Sequence, residues 1–248
     1  MERLTGLQHG GAEFRMVRRV GAGLRLNGKA LIRMELAREE FTGVELQGRV
    51  VRVQRQADAA VLCHKSVLAV EHEAVVKRVI HTTADFDYAR NLRFTPHAVE
   101  QAVKALHAGA VIVTDTNMAL AGITKPGLAK LGGTACCYMA DPEVAAAAKE
   151  AGTTRAVAAM KKAAQEHPGA ILAVGNAPTA LLTIAEQIES GLRPALVIGV
   201  PVGFVNVVES KEEIIESALA PYIVARGRKG GSNVAAAICN AMLYQITR

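Results

Sequence analysis

His81 is the side chain in this sequence whose setting points most directly to proton chemistry. It lies in Val75-Val76-Lys77-Arg78-Val79-Ile80-His81-Thr82-Thr83-Ala84-Asp85, where the apolar spacing predicts a helix with one face in a core. Imidazole titrates near neutrality, so it can donate or accept a proton under physiological conditions. A lone histidine is more commonly a satisfied structural residue, and His64, His72, His97, His107 and His167 are expected to be exposed and without a role. Anion chemistry is expected elsewhere. The run Arg226-Gly227-Arg228-Lys229-Gly230-Gly231-Ser232-Asn233 sets three cations among three glycines where a strand should pass into a helix. Glycine lets backbone N–H groups close on a ligand, a helix N-terminus favours negative charge, and Arg grips a carboxylate or phosphate with two parallel bonds. The same run could be a solvated basic turn. It is not a nucleotide loop, since it has neither the Gly-Lys-Ser/Thr ending nor a full G-x-G-x-x-G.

Three further turns have suitable chemistry. In Gly175-Asn176-Ala177-Pro178-Thr179-Ala180, Pro suits the first helical turn and Asn176 or Thr179 could cap it. Pro201-Val202-Gly203-Phe204-Val205 would let a flat apolar ligand approach. Thr153-Thr154-Arg155 opens a helix after Gly152, with a Thr cap and Arg155 reaching either the crevice or solvent. Cys63, Cys136, Cys137 and Cys239 form no C-x-x-C and have no histidine at zinc-finger spacing, so neither a metal site nor a disulfide framework is expected. Cys136 and Cys137 are adjacent in an apolar strand and would point to opposite faces, which suits core packing.

The elements that must position these residues follow one grammar from Ala110 onward: an apolar run, a small or polar residue, a loop, then a helical pattern. The runs begin at Ala110, Thr134, Ala170, Ala195 and Tyr222, and their continuous apolarity means that both faces are covered. Helices are expected at about 97–108, 142–166, 178–190, 209–218 and 233–246. The fold is therefore read as α/β, a three-layer sandwich with a mainly parallel sheet of at least five strands covered by helices. Ligands in such sheets bind beyond the carboxyl ends of the strands, where the turns quoted above fall.

Residues 1–60 depart from this grammar. They contain ten Arg and one Lys, whereas residues 61–248 contain eight Arg and ten Lys. The net charge of +6 divides into +4 for residues 1–60 and +2 for the remainder. Segments 22–32 and 44–53 alternate at period two between Gly turns, so this Arg-rich part is read as a separate small β element, with 61–248 as the main α/β domain. A nucleic-acid or regulatory module is one reading of it. With 4% aromatic residues and no Trp, stacking platforms are scarce, which argues against nucleic acid. No apolar run reaches the roughly 18 residues that span a bilayer, and the N-terminus lacks a signal-peptide stretch. A cytoplasmic protein without a membrane partner is expected.

Taken in order, several strings resemble the precorrin-8X methylmutase family of corrin biosynthesis. They are Val-Ile-His81-Thr-Thr-Ala-Asp-Phe-Asp, Thr114-Asp115-Thr116-Asn117-Met118, Gly152-Thr153-Thr154-Arg155, Gly175-Asn176-Ala177-Pro178-Thr179-Ala180-Leu181, Pro201-Val202-Gly203-Phe204-Val205 with Glu209-Ser210-Lys211, and Arg226-Gly227-Arg228-Lys229-Gly230-Gly231-Ser232. The resemblance implies an isomerase that moves a methyl group from C-11 to C-12 of precorrin-8X or cobalt-precorrin-8, giving hydrogenobyrinate or cobyrinate. It implies His81 as the proton donor and acceptor, and Arg155, Asn176, Thr179, Arg226 and Arg228 as contacts for a polycarboxylated tetrapyrrole. It also implies a homodimer and a reaction that needs no cofactor. His64-Lys65-Ser66-Val67 is the nearest match to a family string whose serine touches substrate, which makes Ser66 the substrate-contact candidate there, although the string departs from the family pattern by standing about ten residues closer to His81. The first 60 residues have no counterpart in the family, and a fused element, an upstream start or a shifted reading frame would each account for them. A corrinoid-binding protein with reduced or no turnover is the alternative function.

Overall fold

The computed structural model describes residues 8–9, 12–13, 30–36, 39–46 and 72–247. By contact the chain divides into two compact units, Met1–Val53 and Gln54–Arg248. In the first unit, β1 (Gln8–His9) pairs antiparallel with β2 (Ala12–Glu13), and β3 (Ala30–Leu36) pairs antiparallel with β4 (Glu39–Leu46). The β3–β4 register runs from Ala30 opposite Leu46 to Leu36 opposite Glu39, with a shift between Ile32 and Met34. β ribbon is thus present, but centred on 30–46 rather than on the two segments whose alternation suggested it. The other parts of those segments lie outside the described residues, as do Cys63, His64 and Ser66.

The second unit begins with α1 (Glu73–Thr83), α2 (Tyr88–Asn91), β5 (Leu92–Phe94) and α3 (Ala98–His107). It continues through β6 (Ile112–Thr114), α4 (Asn117–Gly122), α5 (Lys125–Ala129) and β7 (Ala135–Cys136). Then come α6 (Pro142–Glu150), α7 (Arg155–Glu166), β8 (Ile171–Val174) and α8 (Pro178–Glu189). The chain closes with β9 (Leu196–Gly199), α9 (Val207–Ser217), β10 (Tyr222–Ala225) and α10 (Ser232–Thr247).

Six strands form one sheet in the order β5-β10-β9-β8-β6-β7. All neighbours are parallel except β5, which runs antiparallel against β10 with Leu92 opposite Ala225. Every residue of β6, β8, β9 and β10 is buried, as their unbroken apolarity requires of strands covered on both faces. One core lies under α1, α3, α4 and α10, and the other under α6, α7, α8 and the inner face of α9. The three-layer expectation therefore holds.

Three expectations need correction. The stretch 142–166 is two helices, because Gly152 takes a left-handed φ of 60° and Thr154 restarts the helix by accepting from Val157 N–H. The apolar run at 134–139 supplies only two strand residues, so Cys137 lies outside β7, and both Cys136 and Cys137 are half-buried at the sheet edge rather than in the core. His72 and His167 are also half-buried: His72 stacks on Phe94, with ring centroids 3.9 Å apart, and His167 hydrogen-bonds the Tyr138 hydroxyl.

The chain leaves β6 toward one face of the sheet, for α4, and leaves β8 toward the other, for α8. Adjacent strands whose connections part in this way open a crevice at their carboxyl ends. That crevice is where the site is built.

Candidate functional site

The crevice floor is organised by Asp115, which follows β6 and is 1% exposed. Its carboxylate accepts from the N–H groups of Gly175, Asn176 and Ala177, at 2.9, 2.8 and 2.8 Å. Burial pushes this carboxyl above its usual range, against the opposing pull of the three N–H donors. These N–H groups open α8, so the helix is capped across the sheet by Asp115. Neither Asn176 nor Thr179 caps it, contrary to the sequence reading, and the Asn176 side chain is left exposed in the crevice.

On the same floor, Thr116 Oγ1 caps α4 through Ala119 N–H and hydrogen-bonds Ser232 Oγ at 2.8 Å. The α10 N-terminus thereby drops onto the end of β8. Glycine is required where they meet: a Cβ on Gly175 would lie 2.7 Å from Ser232 Cα, and one on Gly230 would lie 2.1 Å from the Val200 carbonyl oxygen.

The 226–231 turn arches over the end of β9. Gly203 N–H donates to Arg228 O and Gly231 N–H to Val200 O. Lys211, fully buried on α9, supports it from below by donating to Gly227 O at 2.7 Å and Lys229 O at 2.9 Å. Burial lowers the Lys211 ammonium to about 8. On the opposite side, Lys229 Nζ reaches Asp85 at 2.7 Å and Asp87 at 2.5 Å, just beyond the end of α1. This pairing raises the lysine and holds the Asp87 carboxyl below its usual range.

His81 is in the last turn of α1, exposed, four residues before Asp85. The Lys229 latch therefore brings the histidine helix to the basic turn. Arg155 arrives from the other face. The C-terminus of α7 leads directly into the start of β8, and a 12-residue helix is about 18 Å long, so its first residue reaches the carboxyl end of the sheet. Among the described residues, the side chains of His81, Arg155, Asn176 and Arg228 make no hydrogen bond or ion pair, so each is available to a ligand. Arg226 is placed differently: its guanidinium forks onto Glu212, with Nε and Nη2 at 2.9 and 2.8 Å from the two carboxylate oxygens. Thr179 is half-buried in the first turn of α8, behind Asn176.

The sequence reading gave no role to Asp115 or Lys211, and it counted Lys229 only as one cation of the basic turn. A carboxylate ending an apolar run and a lysine inside the amphipathic pattern of α9 were the available signals, but neither reveals a partner distant in sequence. Apolar side chains flank the polar floor. Met118 is 72% exposed on the β6 side of Asn176, while Phe204 and Val205 are 85% and 77% exposed on the β9 side. Covering large side chains of this kind is worth roughly 1.5–3 kcal/mol each, so the crevice rewards a broad ligand with an apolar face and anionic edges.

Comparison with known proteins places the chain in a family. The family model described as precorrin-8X methylmutase matches residues 54–245. The chain is 51% identical over 176 residues to the cobalt-precorrin-8 methylmutase of Salmonella typhimurium, covering 71% of this chain and 82% of that protein. It is 37% identical over 194 residues to the precorrin-8X methylmutase of Pseudomonas aeruginosa, covering 77% and 93%. The crystal structure of precorrin-8X methyl mutase from Thermus thermophilus matches with a TM-score of 0.70 at 42% identity, over 77% of this chain and 93% of that one. The matched span starts where the second compact unit starts, and by its sequence and its fold the chain belongs to the precorrin-8X methylmutase family, intramolecular methyl-transferring isomerases.

Proposed function

We propose that this protein moves a methyl group from C-11 to C-12 of precorrin-8X or its cobalt form, as an isomerase of cobalamin biosynthesis, with His81 as the proton donor and acceptor. The observation that carries this reading is an exposed histidine, latched through Lys229 to a turn bearing the cation Arg228, with neither His81 nor Arg228 engaged by a side chain or carbonyl among the described residues. His81 gives a proton to the macrocycle, the electron-poor π-system lets the methyl migrate in a 1,5-sigmatropic shift, and the proton returns so that product and substrate are isomers. No external methyl donor enters the balance, which fits a protein that works without a cofactor.

The substrate's carboxylate arms are received by Arg155, Arg228 and Asn176, with Thr179 and Arg226 as outer supports, while Met118, Phe204 and Val205 meet its apolar surface. Ser66 is carried as a further substrate contact. Held between cations on both sheet faces, the ring is presented to His81 in one orientation, which is the main contribution a protein makes to a unimolecular shift. The working form is read as a cytoplasmic homodimer, and residues 1–60 as a separate part outside the catalytic domain.

The test is incubation with precorrin-8X and with its cobalt form. A shift of the visible spectrum on either one, lost in His81→Ala protein of unchanged circular dichroism, supports the assignment. Unchanged turnover in His81→Ala removes the histidine's role, and tight product binding without turnover makes the protein a corrinoid carrier. Sedimentation velocity checks the dimer.

A further inference from the structure

Lys211 is the largest fully buried side chain of the described residues, and it carries a charge. No carboxylate among the described residues lies within ion-pair distance of it; the adjacent Glu212 is committed to Arg226. Among the described residues its only hydrogen-bond acceptors are two main-chain carbonyls, Gly227 O and Lys229 O. An ammonium buried against carbonyls alone is expensive, and an apolar side chain would fill the same space without that cost. What the ammonium adds is direction. Among the described residues no peptide bond is cis, so the N–H following each carbonyl points away from it. With the carbonyls of Gly227 and Lys229 drawn down onto Lys211, the N–H groups of Arg228 and Gly230 face the other side of the turn. Neither donates a hydrogen bond among the described residues. The buried charge also polarises both peptides and strengthens those two donors.

We propose that Lys211 is a positioning residue: by fixing two carbonyls of the 226–231 turn, it presents the Arg228 and Gly230 N–H groups, together with the Arg228 guanidinium, as a receptor for one carboxylate arm of the substrate. This rests on the polycarboxylate reading given above. Two N–H donors on one side of a turn can serve a carboxylate, and the Arg228 guanidinium supplies the charge. The lowered proton affinity of Lys211 is consistent with a charge kept from water for this purpose.

The test is Lys211→Met, with steady-state kinetics on precorrin-8X and spectral titration with the hydrogenobyrinate product. The expected result is a rise of tenfold or more in KM and in the product Kd with kcat within threefold of the parent, and partial recovery in Lys211→Gln, which retains a donor. A purely structural lysine would change the melting temperature and leave KM unmoved, and that outcome overturns the proposal. Should both variants fail to fold, the parent protein decides: in ¹⁵N spectra the Arg228 and Gly230 amides must shift on adding product, and stationary amides overturn it. A parent protein that neither turns over precorrin-8X nor binds product removes the functional reading and this one together. Normal turnover with an unmoved KM in Lys211→Met removes this one alone.

Discussion

At the scale of single residues, the site separates into groups left free for a ligand and groups engaged by the protein itself. His81→Ala should lower kcat by about 10²–10⁴, the usual range for a positioned acid–base group, with product affinity within threefold, as followed by single-turnover absorbance. Arg226 and Arg228 are two residues apart and equivalent to any sequence pattern, yet Glu212 holds the first and nothing among the described residues holds the second. Arg228→Ala should therefore raise KM by about tenfold or more, as loss of a charged hydrogen bond would, while Arg226→Ala should change it by less than about threefold. Equal effects from the two would contradict the placement. The motif strings were legible in the sequence at this scale, but their division of labour was not, because Glu212, Lys211 and Asp85 reach the basic turn from other elements.

At the scale of elements, three loops are fitted against one another more tightly than side chains permit. Gly175→Ala would place a Cβ against the Ser232 backbone, and Gly230→Ala would place one against the Val200 carbonyl, so α10 or the turn must move. Each should cost about 1–3 kcal/mol in chemical denaturation and should weaken product binding as well, since the displaced loops carry Asn176 and Arg228. Lys229→Met should behave in the opposite way. The latch is half-exposed, so its loss should cost no more than about 1 kcal/mol, yet it frees the end of the histidine helix and should reduce kcat/KM by about tenfold. Stability and rate measured on the same samples separate these outcomes. The strands and crossover helices were legible because both faces of the sheet are covered, which writes unbroken apolar runs into the chain. The antiparallel β5 was not: three residues, Leu-Arg-Phe, carry no pattern of their own and pair only because β10 offers an edge.

At the scale of the whole molecule, the buried Lys211 sets a pH dependence. Its proton affinity is lowered by burial to about 8 in the folded state, against the ordinary lysine value near 10.5 when unfolded. The unfolded chain thus binds more protons between those values, and stability must rise with pH across the window. Below pH 8 the burial cost is present in full; toward pH 10.5 it is relieved by about 3 kcal/mol. Glu212, the neighbouring carboxylate, opposes the shift, and Arg226 and Lys229 keep their charges throughout this range because their own partners raise them. Denaturation of the parent protein relative to Lys211→Met should show the difference growing in favour of the parent from pH 8 to pH 10. A difference independent of pH would place the ammonium in contact with water.

The sequence by itself determined the layered α/β architecture, the family, and the set of turns at the carboxyl ends of the strands, because periodicity and local turn chemistry are properties of neighbouring residues. Only the tertiary structure decided which side chains remain free. Asp115 capping α8 across the sheet, Lys211 orienting the basic turn from beneath, and Lys229 drawing the histidine helix toward it all join residues far apart in the chain. Such pairings are set by where the crossovers place each helix, and a one-dimensional pattern does not contain that information. The three cations read together in the 226–233 run likewise part company in the fold: Arg226 and Lys229 are paired with carboxylates, and Arg228 is left to meet a ligand.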